Sequence, residues 1–495
     1  MNLTNNLYTS SLALFTDFYQ ITMAYGYWKT GMAEKESVFN LFYRKNPFNG
    51  GFAINCGLSY VIDLLKSFRF TDTDLAYLAT IEGDDGQPLF EPEFLDYLRQ
   101  LEFSCDIDAI AEGEVVFPHE PLIRVKGPIL QCQLIESPLL NVINYQTLIA
   151  TKAARIHVAA KGEPVMEFGL RRAQGIDGAI AASRAAYIGG CTSTSNVLAG
   201  KLFGIPVSGT HAHSWIMAFD DELTAFKAYA EAMPNNCILL VDTYNTVEGV
   251  KKAIEVGKLL KEKGKELLGV RIDSGDLAYF SIEARKLLDE AGLTSTKVVA
   301  SNDLDENIIS SLRSQDAKID VWGIGTKLVT AYDQPALGAV YKLAALKEGD
   351  EWKYKIKLSE QAIKVNNPGI QQVRRFYSGG GEKKHLVADM LYDTLQPLGD
   401  KHKIIDPMDM TRRKIIQSGE ADFEELLIPV FRKGKAVYES PDIQAIRENT
   451  LESLSELPKG VKRFVNPHSY PVGLEEKLLT TKTDLILKLR NLAED

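Results

Sequence analysis

Apolar positions change their spacing twice along this 495-residue chain. Up to about residue 140, helical and strand spacings are mixed. Phe15–Trp28 predicts a helix with aromatic faces, and Gly57–Phe68 predicts a second. Between Ile107 and Leu134, apolar residues alternate with Gly and Pro turns, which predicts antiparallel strands. From about Pro164, short apolar runs are each closed by a polar or Gly turn. The strands expected are Pro164–Phe168, Ile205–Val207, Cys237–Val241, Leu268–Ile272, Val298–Ala300 and Val321–Ile324. Helical spacing follows most of them, at Ile176–Ile188, Thr246–Lys263, Leu277–Ala291 and Glu306–Ser314. Gly189, Gly264 and Gly292 stand where helix C-caps belong. Repeated strand–turn–helix units imply a parallel sheet, as a barrel or doubly wound. Either form gathers chemistry at the C-terminal ends of the strands. After about Thr330 the alternation stops. "ALGAVYKLAAL" and "EWKYKIKLSE" predict hairpin strands, and helical spacing returns at Glu475–Leu492.

Composition narrows the function classes. With 45% hydrophobic and 25% charged residues, the chain is an ordinary globular one. A net charge of -10 argues against nucleic acid as a partner, although local arginines can still hold small anions. Five cysteines, none spaced as CxxC, point to a reduced, cytoplasmic protein without disulfides or a zinc site. The first residues lack the pattern of a signal peptide. No run reaches the roughly 18 apolar residues of a membrane span, so no membrane partner is expected.

The strand ends carry the chemistry. They read Gly169-Leu170-Arg171-Arg172, then Ser208-Gly209-Thr210-His211-Ala212-His213, then Asp242-Thr243-Tyr244-Asn245. Next come Arg271-Ile272-Asp273-Ser274-Gly275-Asp276, Ser301-Asn302-Asp303 and Gly323-Ile324-Gly325-Thr326. Arginine forks suit carboxylate or phosphate. Gly323, Gly325 and Thr326 offer backbone N–H groups and a hydroxyl, as phosphate cradles do. Asp242, Asp273 and Asp276 can hold Mg²⁺ or a ribose diol, but Asp276 is better placed as a helix cap. Arg172 is equally compatible with a surface ion pair. His211 suits a structural role, and His-Ala-His lacks a third metal ligand nearby. There is no GxxxxGK[ST], so any nucleotide is held without a P-loop.

Six strings together resemble the nicotinate phosphoribosyltransferase family: "TDFYQITMAYGYW", "FGLRRAQGIDG", "SNVLAGKLFGIPVSGTHAHSW", "LLVDTYNT", "GVRIDSGDL" and "GIGTKLVT". They run in order from Thr16 to Thr330, and a weaker likeness continues to about Asp393. The resemblance implies an irregular parallel α/β barrel of the type II phosphoribosyltransferase kind. It would carry an α/β N-terminal domain and a mixed, β-rich C-terminal region. The expected divisions are 1–145, 146–335 and 336–495, the last partly completing the N-terminal sheet. Members join nicotinate to 5-phosphoribosyl 1-pyrophosphate (PRPP) and release pyrophosphate, the entry step of NAD salvage from nicotinate. They couple this to ATP hydrolysis through a phosphohistidine, with Mg²⁺, and are usually homodimers with shared active sites.

Carried over residue by residue, the resemblance makes His213 the phosphorylated histidine and Arg271 and Asp273, the pair at the base and ribose, the other catalytic residues. Asp17, Tyr19, Arg171, Thr210 and Arg271 fall at nicotinate-binding positions. Ser301, Asn302, Gly323, Gly325 and Thr326 fall at ribose and phosphate positions, while Asp242 and Asp273 are the metal candidates by their carboxylate chemistry. Relatives acting on nicotinamide place an aspartate where Asn196 stands, so its absence favours nicotinate. Nicotinamide phosphoribosyltransferase remains the nearest alternative. A sugar-phosphate lyase or isomerase would need a Schiff-base lysine, Lys327 being the most obvious, or a carboxylate base inside the barrel. A non-catalytic NAD-pathway binding protein would have lost the chemical residues that are present here.

Overall fold

The computed structural model describes residues 12–378 and 384–491. It divides into two compact units, one of 1–147, 336–442 and 452–495, the other of 148–335 and 443–451.

The first unit holds two larger sheets. Seven antiparallel strands run in the order Glu351–Tyr354, Val340–Glu348, Glu36–Phe42, Ile123–Pro128, Asp106–Ile110, Leu427–Arg432 and Lys435–Ala436. Residues distant in sequence therefore share one hydrogen-bonded surface. The hairpin expected after Thr330 is its outer edge, where Ala345 faces Tyr354. The second sheet has six strands, with His385–Asp393 pairing parallel to Val472–Glu475. Phe376, Ala388, Met390, Ile404 and Ile416 form its buried core. The first helix is Phe18–Lys29, and the second Leu58–Lys66. On the first, Tyr25 and Trp28 pack against Phe94 of the helix Pro92–Gln100.

One expected strand is instead a helix. Ile129–Leu134 is helical, and all six of its residues are buried. Leu130-Gln131-Cys132-Gln133-Leu134 does alternate, but both glutamines are buried. Gln131 accepts from Ser104 N–H at 2.8 Å and Gln133 donates to the Gln20 carbonyl at 2.9 Å, so the alternation does not mark a solvent face. Pro128 ends the preceding strand, and Ile129 N–H donates to the Lys35 carbonyl at 2.8 Å.

The second unit is built on a six-stranded parallel sheet. Its order is Ser193–Thr194, Val165–Glu167, Val321–Ile324, Lys297–Ala300, Gly269–Ile272 and Ile238–Leu240. Helices Gly175–Ile188, Thr246–Glu262, Leu277–Glu290 and Glu306–Ser314 follow strands as the spacing predicts. Asn245, Asp276 and Asp305 each cap the next helix with a side-chain oxygen, which satisfies otherwise orphaned N–H groups. Asp276 is thus a cap, accepting from Tyr279 N–H at 3.0 Å.

One expectation needs correction here. Ile205–Val207 is no strand; it contributes a single bridge from Val207 to Thr194, and Pro206 has no N–H with which to extend a ladder. The two-residue strand Ser193–Thr194 takes that place beside Val165–Glu167. Gly189 is the C-cap of Gly175–Ile188, as expected, and the left-handed residue is Gly190 (φ 117°), one position further on. Gly189 is glycine for another reason, because a Cβ there would lie 2.3 Å from the Ala150 carbonyl oxygen. The 25-residue helix Glu136–Ala160 and the helices His213–Met217 and Glu222–Ala232 carried no expectation.

His211 deals with the sheet's open edge. Val241 N–H donates inward to Arg271 O, so Leu240 N–H faces the outer side of its strand. His211 Nε2 accepts that N–H at 3.2 Å. The residue just past the Val207 bridge at one edge therefore ties itself to the strand at the other. Accepting at Nε2 fixes the proton on Nδ1, beside the Ala212 carbonyl at 3.4 Å. The ring packs edge-on against Tyr229 with centroids 4.7 Å apart. Burial lowers its pKa from 6.5 to about 4, so the ring is neutral at pH 7.

His211→Ala is expected to destabilise the protein by about 1–3 kcal/mol in urea unfolding, because Leu240 N–H is left buried and unpaired. The same latch makes stability pH-dependent. The folded pKa lies below the unfolded one, so the unfolded chain binds the extra proton between them. Stability is full above pH 6.5 and falls as pH drops towards about 4. His211→Gln keeps an acceptor that does not titrate. Its unfolding free energy should show a shallower acid slope than the parent; an unchanged slope would discount the latch.

Candidate active site

Parallel strands bring their C-terminal ends to one edge of the sheet, and there the polar residues meet. Arg271 is the hub. Its Nε donates to Ser301 Oγ at 2.7 Å, Nη1 to Thr210 Oγ1 at 3.0 Å and Nη2 to Asp273 Oδ1 at 2.8 Å. Its guanidinium carbon lies 5.6 Å from the centroid of the Phe168 ring. Ser301 also donates to Asp273. One side chain thus joins the ends of strands Gly269–Ile272 and Lys297–Ala300 to the loop that carries Thr210.

Asp242 braces the same turn. Its Oδ2 accepts from Asp273 N–H at 2.9 Å and Ser274 Oγ at 2.6 Å. Its Oδ1 is buried with no hydrogen-bond partner. A buried carboxylate oxygen left unpaired is costly unless something else binds it.

His213 opens a one-turn helix, His213–Met217. Its Nδ1 lies 3.1 Å from Thr243 Oγ1, and its Nε2 lies 4.0 Å from Asp273 Oδ2. The ring is 40% exposed, so a ligand can reach it. His211, with Nε2 already engaged, has no such freedom.

Gly323 lies behind Arg271. A Cβ there would come within 2.8 Å of the Phe168 ring and 3.3 Å of Ser301 Cβ. Gly325 and Thr326 begin the short helix Thr326–Val329 beside it. Asn302 adopts φ 122°, and its side chain accepts from Asp303 N–H at 2.8 Å. Arg171 and Arg172 form an exposed turn, Leu170–Arg172, after strand Val165–Glu167.

Lys327 is not a free amine. Its Nζ donates to Asp305 at 2.7 Å. Burial alone would lower its pKa, but the Asp305 contact outweighs this and raises it. A protonated lysine does not form a Schiff base, which weighs against the Schiff-base form of the lyase alternative.

The remaining expected residues lie in the other unit. Tyr19 is half exposed; burial and then Glu136 raise its phenol pKa, so the ring is neutral. Asp17 accepts from Ser137 Oγ at 2.5 Å.

Three contributors carried no sequence expectation. Thr243 partners His213, and Phe168 underlies Arg271. Glu167 is 1% exposed and accepts from Gly169 N–H, Ser183 Oγ (2.9 Å) and Thr194 Oγ1 (2.5 Å). A carboxylate closing an apolar strand was the available signal for Glu167. Asn196 joins the same network. Its Oδ1 caps the helix Val197–Phe203, and its Nδ2 donates to Ser183 Oγ at 3.2 Å. Its carboxamide is therefore committed within the fold.

The comparisons with known proteins agree with this geometry. The nicotinate phosphoribosyltransferase (NAPRTase) family model matches residues 164–366. The N-terminal and C-terminal domain models of the same enzyme match 14–144 and 370–482. The chain is 45% identical to nicotinate phosphoribosyltransferase of Bacillus subtilis, over 98% of this chain and 97% of that one. The chain belongs to the nicotinate phosphoribosyltransferase family. The human member is 34% identical over 94% of this chain and 95% of its own. The crystal structure of human nicotinic acid phosphoribosyltransferase superimposes with a TM-score of 0.82 at 33% identity, covering 95% and 99% of the two chains. The α/β class with a parallel sheet and a β-rich C-terminal region is thus that of the family, and the chain is an enzyme. Among the described residues, no helix is long and apolar enough to cross a membrane.

Proposed function

We propose that the enzyme joins nicotinate to PRPP, giving nicotinate mononucleotide and pyrophosphate, with ATP hydrolysed through a phosphohistidine at His213. The observation that carries this reading is the Arg271 hub, which binds Thr210, Asp273 and Ser301 within reach of an exposed histidine.

Displacing pyrophosphate from C1 of PRPP builds positive charge on the ribose ring. Little proton transfer is needed, so positioning and electrostatics supply most of the rate. Asp273 faces this region with a carboxylate already oriented by Arg271 and Ser301. Gly323, Gly325, Thr326, Ser301 and Asn302 offer the ribose 5′-phosphate small residues, N–H groups and hydroxyls. Arg171 and Arg271 hold the nicotinate carboxylate near Thr210. Tyr19 and Asp17 complete the base site, and in a homodimer they would serve a neighbouring subunit.

His213 is suited to accept a phosphoryl group. In the tautomer whose Nδ1–H donates to Thr243 Oγ1, 3.1 Å away, the lone pair lies on Nε2. In that step, Nε2 bonds to the γ-phosphorus of ATP as the bond to the bridging oxygen breaks and ADP departs. Water later takes the phosphoryl group, leaving inorganic phosphate.

Mg²⁺ fits the donor set. Asp242 Oδ1 lacks a partner, and Asp273 Oδ2 has only His213 nearby. No cluster of three or more His, Cys, Asp or Glu occurs among the described residues. Two carboxylates suit an ion that keeps waters and binds substrate phosphates. Bound there, it would neutralise the leaving pyrophosphate. The enzyme would act in the cytoplasm, in keeping with five reduced, buried thiols.

Product analysis tests the whole reading. The enzyme should release pyrophosphate and nicotinate mononucleotide from PRPP plus nicotinate, faster with ATP. Turnover with nicotinamide alone would overturn the substrate. Arg171→Ala should raise the nicotinate KM by about tenfold or more, with a smaller change in the PRPP KM. Equal changes in both would remove Arg171 from the carboxylate clamp.

A further inference from the structure

A cleft of about 650 Å³ lies within the first unit, on the sheet that carries Lys401–Ile405 and Arg413–Gln417. That volume is typical of small-molecule sites. Arg412, Arg413, Lys414, Arg463 and His468 line it, against the single carboxylate of Asp406. In a chain of net charge -10, so many cations on one concave surface run against the global sign.

The cations are only partly neutralised. Arg412 lies 3.3 Å from Asp409. Lys414 Nζ is steadied by the Val387 carbonyl at 3.1 Å. Arg413 and Arg463 take no ion pair among the described residues. Asp406 accepts Met408 N–H at 2.8 Å, so part of its charge is engaged in its own turn. Paired arginine forks facing a cleft suit a tetrahedral polyanion.

The walls are rigid enough to bind. Arg413 sits opposite Ile405 in the sheet, and Gly473 packs so tightly on Ile405 that a Cβ would lie 2.6 Å from its carbonyl oxygen. Tyr470, in the opposing loop, stacks on Phe117 at 4.0 Å and donates to Asp389 at 2.9 Å. Pro467 and Pro471 restrict that loop, which turns at Asn466 (φ 47°) and is tied back by His468 N–H to the Gly460 carbonyl at 3.0 Å. The backbone that carries these cations is thus held before any ligand arrives.

We propose that this cleft is a second anion site, separate from the strand-end residues of the parallel sheet, which takes a phosphate-bearing small molecule. Arg413 and Arg463 are its principal contacts. The proposal does not depend on the reaction proposed above.

Hydrogen exchange on the full-length enzyme tests it, with inorganic phosphate, inorganic pyrophosphate and AMP as separate probes. At least one probe should slow exchange in both 405–416 and 461–472. Protection by all three identifies the phosphate group as the recognised feature; protection by AMP alone identifies a nucleotide. Arg413→Ala/Arg463→Ala should weaken the apparent affinity at least tenfold and leave turnover without added anion unchanged. The exposed single variant Arg463→Gln serves if the pair of changes unfolds the sheet, and should weaken binding severalfold. Absence of protection with every probe, or undiminished protection in the variants, would overturn the site. So would a changed oligomeric mass in the variants with anion protection intact, because the cleft would then face another subunit.

Discussion

Arg271→Ala is expected to lower kcat/KM by about 10³-fold, or about 4 kcal/mol of transition-state stabilisation. Arginine carries five N–H donors. The fold uses one on each nitrogen, for Ser301, Thr210 and Asp273. The other two remain for substrate. Alanine therefore removes a direct contact and also frees three neighbours from their positions. Because Asp273 would lose its oriented cation, kcat should fall together with kcat/KM, not KM alone. Arg271→Lys should recover little, since an ammonium cannot span three partners in one plane. The Arg271 side chain is only 14% exposed, so each variant needs a melting curve beside its kinetics. A folded Arg271→Ala enzyme within threefold of the parent would remove the hub from the mechanism.

His213→Ala should abolish the protein-bound label from γ-labelled ATP. The parent's label should be acid-labile and base-stable, as phosphohistidine is. The two histidines of the same string make a sharp pair. His211 Nε2 is occupied by Leu240 N–H, whereas His213 Nε2 is exposed near Asp273. His211→Gln should thus keep the label and His213→Ala should lose it entirely. ATP should also cease to stimulate turnover in His213→Ala, although slow transfer from PRPP can persist. Retention of label in His213→Ala would refute the assignment. Thr243→Ala should label more slowly, because Nδ1 loses the hydrogen-bond partner that orients the ring.

The two histidines also show how far sequence alone reaches. The string itself separates a structural His211 from a chemical His213 only by resemblance. The physical reason appears in three dimensions, where one imidazole stands at the edge of a strand and the other at the edge of a site. Asp242 is similar. Its place after a short apolar strand marks it as a ligand or a cap. The unpaired Oδ1 becomes visible only once Asp273 N–H and Ser274 have taken Oδ2. The glycine-rich segment Ser378–His385, which ends in Lys383, Lys384 and His385, lies largely outside the described residues, which omit 379–383.

What the sequence by itself determined was local. Alternating short apolar runs and helical spacings specified parallel strands with helices between them, because both periodicities are written in neighbouring residues. Strand Val321–Ile324 and helix Glu306–Ser314 match their sequence boundaries residue for residue. Polar residues closing those runs marked the site, since strand ends are where a parallel sheet exposes them. Tertiary structure decided what periodicity cannot encode. It turned the fully buried Ile129–Leu134 into a helix and reduced Ile205–Val207 to one bridge. It also set Leu427–Arg432 beside Asp106–Ile110, more than 300 residues away in the chain. Pairing partners, unpaired oxygens and the latch of His211 depend on which distant groups arrive at the same place. A hydrogen bond is specified by two positions at once, and one residue's neighbours in sequence carry only half of that information.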